Sequence, residues 1–226
     1  GDARNDEEKQ KSNFVYSKDV LEVASEICCQ YFIGAESQAE YGVLNKKIKE
    51  TDTPNPNTAY GIYKLKFTDY ALDNAERLKL KVIMPRFFSL FGENDYSNTL
   101  IESSIENMLY DRDCNYTLAD QNWNYMYIKD AVKAMIYLME NDFDGVYNFG
   151  SKDTRQLKDF IYEIKEILQS KSNLNFGAIP YPITGKVSID PDINKLLSTG
   201  FNRFTPFNVA IENIVRLKKG KAYEKN

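Results

Sequence analysis

Residues 55–64 read NPNTAYGIYK, and the segments on either side of this stretch set the fold class. Upstream, YFIGA at 31–35 is a short apolar run of buried-strand character that ends at Glu36 and Ser37. From Asn55-Pro56 the pattern becomes helical to about Leu78, with asparagine suited to the N-cap and proline to the first turn. KLKVIMPRFFSLFG at 79–92 then reads as a strand that leaves the helix and enters a loop. Strand, helix and strand in alternation are the mark of an α/β fold. Ser37 falls at the carboxyl end of a strand, where open α/β sheets bind their ligands.

Working outward, residues 8–30 form an expected helix whose apolar face includes Val15, Val20, Val23, Ala24 and Ile27. After Gly92 the expected elements are a helix near 98–110, the strand WNYMYI, a helix from Asp130 to Glu140, the strand GVYNFG and a helix from about Leu157 to Leu168. FGAIPYPITGKVSID at 176–190 is loop-like with extended pieces, and a helix over 206–218 closes the chain. No repeat or low-complexity segment interrupts the pattern.

The composition narrows the chemistry. The chain has 226 residues, 42% hydrophobic and 27% charged, enough for a packed core. No window approaches the roughly eighteen apolar residues of a membrane span, and GDARNDEEKQ lacks the apolar core of a signal peptide. A net charge of −4 without a basic stripe argues against nucleic acid as a partner. The three cysteines, Cys28, Cys29 and Cys114, make neither a CxxC pair nor a metal-ligand spacing, and read as buried or idle thiols in a reducing cytoplasm. The chain contains no histidine, which excludes an imidazole base and any zinc-bound histidine. Acid–base work must therefore come from Tyr, Lys, Asp, Glu or Cys.

Two Tyr-x-x-x-Lys pairs occur, about the number chance provides among 16 tyrosines. Tyr125 and Lys129 lie on an expected strand, where four residues span about 13 Å and the side chains cannot meet. Tyr60 and Lys64 fall on an expected helix, where positions i and i+4 share a face. An ammonium beside a phenol favours the phenolate form. A tyrosine so placed can take the proton of a sugar hydroxyl while a hydride leaves the same carbon. A neighbouring hydroxyl, for which Ser37 is in position, would hydrogen-bond the developing carbonyl.

FIGAESQAEYG, NPNTAYGIYK, MPRFFSLFGEN, WNYMYIKDAVKAM and VYNFGS follow one another in the order and spacing of the extended short-chain dehydrogenase/reductases. In this respect the chain resembles the NAD-dependent epimerase/dehydratase family acting on nucleotide sugars, over nearly its whole length. The resemblance implies NAD or NADP as cofactor and a nucleotide sugar as substrate. It implies Ser37 as the hydroxyl, Tyr60 as the general acid/base, and Lys64 as the residue that tunes the tyrosine and binds the nicotinamide ribose. It further implies Asn13 and Phe87 beside the cofactor, and Ser89 and Trp123 beside the substrate, with no metal. Relatives commonly dimerise through the helix holding Tyr60 and the one before it, so a homodimer is expected.

Three departures shape the reading. The glycine-rich phosphate turn of the family is absent; the nearest lookalike, GVYNFGSK, reads as strand and turn. The expected fold is therefore an incomplete Rossmann-like doubly wound parallel sheet, its first half missing, with a smaller α/β substrate-binding region. Residues 1–92 would supply the C-terminal half of the dinucleotide-binding domain and 93–226 the substrate region, with 123–150 returning to the Rossmann core. Second, Gln38 and Ala39 follow Ser37 where 4,6-dehydratases carry an acidic residue, and Glu40 comes one position late. This favours an epimerase or a 4-keto-sugar reductase. Third, Trp123 and Pro182 stand where relatives place arginines on the substrate diphosphate.

Other features read as structural: Asp130 as a helix N-cap, Lys46, Lys47 and Lys49 as a solvated run, and Asp192 as ordering the segment before Lys195. The alternative to a catalytic part of an NAD(P)-dependent enzyme is a non-catalytic remnant or protein-binding module that kept the fold's second half. Without a phosphate turn, the chain alone is expected to bind dinucleotide weakly and to be inactive.

Overall fold

The computed structural model describes residues 2–182 and 185–223; of the expected loop over 176–190, Ile183 and Thr184 lie outside the described residues. In chain order the elements are α1 (Glu7–Glu26), β1 (Tyr31–Ile33), β2 (Glu36–Ser37), α2 (Ala59–Leu78), β3 (Lys81–Phe87), β4 (Ser89–Phe91), α3 (Leu100–Leu109) and β5 (Cys114–Tyr116). They continue with β6 (Asn122–Tyr127), α4 (Ile128–Glu140), β7 (Gly145–Phe149), β8 (Thr154–Gln156), α5 (Leu157–Leu168), β9 (Leu174–Phe176), α6 (Asn194–Ser198) and α7 (Phe207–Tyr223).

The chain divides into two units. The first comprises Gly1–Phe88, Ala131–Gly150 and Pro191–Arg203; the second comprises Ser89–Asp130, Ser151–Asp190 and Phe204–Asn226. Where the sequence suggested a boundary at 92 and a return at 123, the first unit ends at Phe88 and resumes at Ala131.

The first unit is built on a parallel sheet with β3 at its centre. β1 runs along the start of β3, with Tyr31 opposite Lys81, and β2 along its end, with Ser37 opposite Phe87. β7 takes the other side, from Ile83 opposite Gly145 to Phe87 opposite Phe149. Five consecutive residues of β3, Val82–Arg86, are buried, as expected of a parallel strand covered on both faces. Leu21, Phe67, Ala71, Leu78, Leu80, Val82 and Met84 form the core under α1 and α2.

The expected apolar face of α1 is corrected by its burial. Val15, Val20, Val23 and Ile27 are exposed at 44%, 59%, 49% and 68%, while the buried positions are Gln10 and Leu21. Of the expected face only Ala24 packs against the core, beside Leu21 and Phe14. The start of α2 is also corrected. Thr58, not Asn55, is the N-cap, its hydroxyl accepting from Gly61 N at 3.1 Å.

In the second unit β4, β6 and β8 form one small sheet and β5 with β9 another. α3, α5 and α7 pack over an aromatic-rich core that includes Phe91, Tyr125, Phe160 and Phe207. Asp130 does not cap a helix, because α4 already begins at Ile128. It is buried, and its carboxylate accepts from the backbone N–H of Thr205 at 2.5 Å and from the Thr205 hydroxyl at 2.9 Å. Asp192 accepts from Asn194 N at 2.9 Å and so shapes the entry to α6.

Candidate active site

In the first unit a cavity of about 580 Å³ opens between α1, α2 and the carboxyl end of β1, its walls including Asn13, Ile33, Glu36, Tyr60 and Lys64. The first turn of α2 carries Tyr60 to this wall. That turn approaches the backbone after β2 so closely that a Cβ on Gly61 would sit 2.4 Å from Ala39 O. Only glycine permits the approach at this point.

Tyr60 and Lys64 share a face of α2, with Lys64 Nζ 6.0 Å from the centroid of the Tyr60 ring. A second cation, the Arg4 guanidinium, lies 5.1 Å from the same centroid. Lys64 Nζ donates to Ala35 O at 2.7 Å and stands 3.7 Å from Glu36 Oε1. The Glu36 side chain is only 1% exposed, and neither carboxyl oxygen has a hydrogen-bond partner. Burial pushes this carboxyl up to about 8, against the pull of the Lys64 charge and with a further push from Glu40.

Behind the cavity wall lies a second polar layer. Glu40, fully buried, accepts from Arg86 at 2.8 Å and from the Thr68 hydroxyl at 3.1 Å. Its other oxygen accepts from the backbone N–H of Ser37 at 3.2 Å, closing a capping box with the Ser37 hydroxyl. The Tyr41 hydroxyl donates to Asn148 at 2.7 Å, and burial pushes its phenol up to about 12. These bonds fix the turn from which Ser37 projects.

Of the residues singled out from sequence, Asn13, Tyr60 and Lys64 wall one cavity. Ser37 follows the wall residue Glu36 directly, and its Oγ accepts from Ala39 N at 3.2 Å, which leaves the hydroxyl proton available to donate. Phe87 pairs with Ser37 across the sheet and packs edge-on against Phe149 at 5.3 Å, away from the cavity lining. Ser89 and Trp123 belong to the second unit. There Ser89 opens β4 and pairs with Tyr125, and Trp123 packs against the aromatic core opposite Arg155. The single strand expected for Tyr125 and Lys129 is corrected, because β6 ends at Tyr127: the tyrosine is buried on β6, and the lysine, in the first turn of α4, pairs with Glu93.

Two residues of the site were missed in the sequence, Glu36 and Arg4. The signal for Glu36 was a single acid inside the apolar run YFIGAES; nothing local pointed to Arg4, which reaches Tyr60 only through the fold. Among the described residues no group of three or more His, Cys, Asp and Glu side chains is placed to hold a metal ion, and no helix is long and apolar enough to cross a membrane.

The profile of the NAD dependent epimerase/dehydratase family matches residues 2–150. The chain belongs to that family. Its sequence is 26% identical, over an alignment of 231 residues, to an ADP-L-glycero-D-manno-heptose-6-epimerase of Nitratidesulfovibrio vulgaris, covering 91% of this chain and 69% of that protein. It is 30% identical to a CDP-abequose synthase of Salmonella muenchen over 97 residues, which is 42% of this chain and 33% of the relative. Among solved structures it resembles the UDP-glucose 4-epimerase of Thermotoga maritima with a TM-score of 0.86 at 20% identity, covering 97% of this chain and 74% of that one. It also resembles the UDP-glucuronic acid 4-epimerase of Bacillus cereus, with a TM-score of 0.77 at 19% identity, over 89% of this chain and 66% of that one. At these identities the structural likeness establishes a shared Rossmann-like α/β fold.

Proposed function

We propose that this chain is the catalytic part of an NAD(P)-dependent nucleotide-sugar epimerase or 4-keto-sugar reductase, with Tyr60 as its acid/base. The observation that carries this reading is the placement of Tyr60 and Lys64 one helical turn apart on the wall of a single cavity beside the carboxyl end of β1. The polar groups there suit the nicotinamide-ribose end of a dinucleotide: a phenol, an ammonium and the amide of Asn13. The sequence offers no glycine-rich turn for the diphosphate, so the fit extends to that end alone. When bound, the dinucleotide supplies a hydride acceptor.

In this reading Tyr60 Oη takes the proton of the reacting sugar hydroxyl and returns it to the oxygen when the carbon is reduced again. To take that proton Tyr60 must start as the phenolate, a form that a neighbouring cation favours, and Lys64 with Arg4 nearby supplies that positive charge; the phenol formed then gives the proton back. Ser37 donates its hydroxyl proton to the developing carbonyl oxygen. Ser89 and Trp123 are the proposed substrate contacts of the second unit. The tight Glu40–Arg86 pair occupies its carboxylate in the fold, in keeping with a reaction that needs no further acid to eliminate water.

The test is to incubate the complete protein with NAD or NADP and a panel of UDP-, ADP- and CDP-sugars and follow the sugars by NMR and the reduced nicotinamide by absorbance. An epimerase interconverts one pair of sugars with no net cofactor reduction, and a reductase consumes reduced cofactor with a keto sugar. The reading is wrong if no sugar turns over and neither dinucleotide binds.

A further inference from the structure

The wall of the cavity contains a group to which the reaction outlined above gives no task. Glu36 is 2% exposed overall, and both its oxygens are buried without a hydrogen-bond donor. An unpaired buried carboxylate is among the costliest groups a fold can carry. Its neighbours do not relieve it. From β3, the Arg86 guanidinium is committed to Glu40 at 2.8 Å, and the Met84 side chain lines the space beside Gly34 that Glu36 Oε1 also borders. From the turn after β2 comes Glu40, a like charge to the Glu36 anion and, for the neutral acid, an acceptor for its proton, so both effects favour the protonated form. From α2 comes a cation, Lys64, at 3.7 Å, beyond hydrogen-bond length and bonded instead to Ala35 O.

We infer that Glu36 is a positioning residue for Lys64, whose carboxyl, by losing or gaining one proton to solvent, draws the ammonium onto itself at the strand end or leaves it held by Ala35 O alone. This rests on the reading that Lys64 serves the tyrosine and the nicotinamide ribose. As the neutral acid, Glu36 offers Lys64 no charge, and the ammonium keeps only its bond to Ala35 O. As the anion, it gains a charge-assisted hydrogen bond if Nζ closes the remaining gap of about 1 Å. Burial pushes the Glu36 carboxyl up to about 8, a range in which a solvated glutamate would already be ionised.

The proposal is tested by NMR on protein isotope-labelled in its lysine ε-methylene and glutamate carboxyl groups, titrated through neutral and mildly alkaline pH. In the wild type the Lys64 resonance should step together with the Glu36 carboxyl near pH 8. The step should vanish in Glu36→Gln and in Glu36→Ser, each checked for folding by circular dichroism. A Lys64 resonance that ignores the Glu36 titration in the wild type overturns the inference, even if neither variant folds. A Lys64 profile unchanged in a folded variant overturns it equally. The readout needs no cofactor, so a protein that shows the coupled step but binds no dinucleotide would retire the proposed function and leave the Glu36–Lys64 coupling standing.

Discussion

Arg86 on β3 and Glu40 in the turn after β2 form a buried ion pair at 2.8 Å, with side chains 5% and 0% exposed. It ties the centre of the sheet to the turn that presents Ser37. Truncating one partner strands the other's charge in the interior. Arg86→Met is expected to lower stability by about 3–5 kcal/mol in urea denaturation, and the double variant Arg86→Met/Glu40→Leu to recover much of that loss. A single variant as stable as the wild type would show that the pair does not hold the turn.

Gly61→Ala should reverse the usual sign of such a change. In an open helix the substitution stabilises by about 1 kcal/mol. Here the added carbon would meet the backbone oxygen of Ala39 at 2.4 Å, so α2 must move. A lower melting temperature is expected, and a higher one would mean that α2 and the turn are not in contact as described.

Glu36 gives stability a pH dependence whose direction follows from its shift. Burial pushes its carboxyl up to about 8 in the fold, from the ordinary 4.5 of the unfolded chain. Between those values the folded chain holds a proton that the unfolded chain has released. The group's contribution is therefore full below pH 4.5 and is lost as pH rises to about 8, at up to about 1.4 kcal/mol per pH unit. Glu36→Gln cannot ionise, so its stability relative to the wild type should climb across that window. Parallel melting-temperature curves for the two proteins would rule this out.

Much of the first unit was legible in the sequence because its elements are regular. YFIGA, closed by Glu36, and VIMP, between Lys81 and Arg86, are short apolar runs, and the residues after Thr58 carry a clear helical period. Tyr60 and Lys64 could be chosen over Tyr125 and Lys129 because only the former share a helix face. What the sequence hid depends on tertiary placement. The stripe of Val15, Val20, Val23 and Ile27 has the spacing of a buried face yet lies exposed, since periodicity shows that residues share a side and not which side is covered. Glu36 and Arg4 join Tyr60 and Lys64 through contacts between segments far apart in the chain, which no local pattern encodes.

Lys64→Ala should weaken dinucleotide binding and turnover together, because its ammonium is assigned to both the ribose and the phenol. Calorimetric titration alongside steady-state rates separates the two effects. Unchanged dinucleotide affinity in this variant would remove Lys64 from the cofactor site.

The most direct measurement is the turnover of Tyr60→Phe in the complete protein, on the nucleotide sugar that the wild type converts, beside its dinucleotide affinity. Loss of the single hydroxyl should cut kcat by about 10²–10⁴-fold while leaving the fold and the dinucleotide affinity nearly unchanged. Turnover close to the wild type's would contradict the assignment of Tyr60 as the acid/base, and with it the account of the cavity between α1 and α2 as an active site.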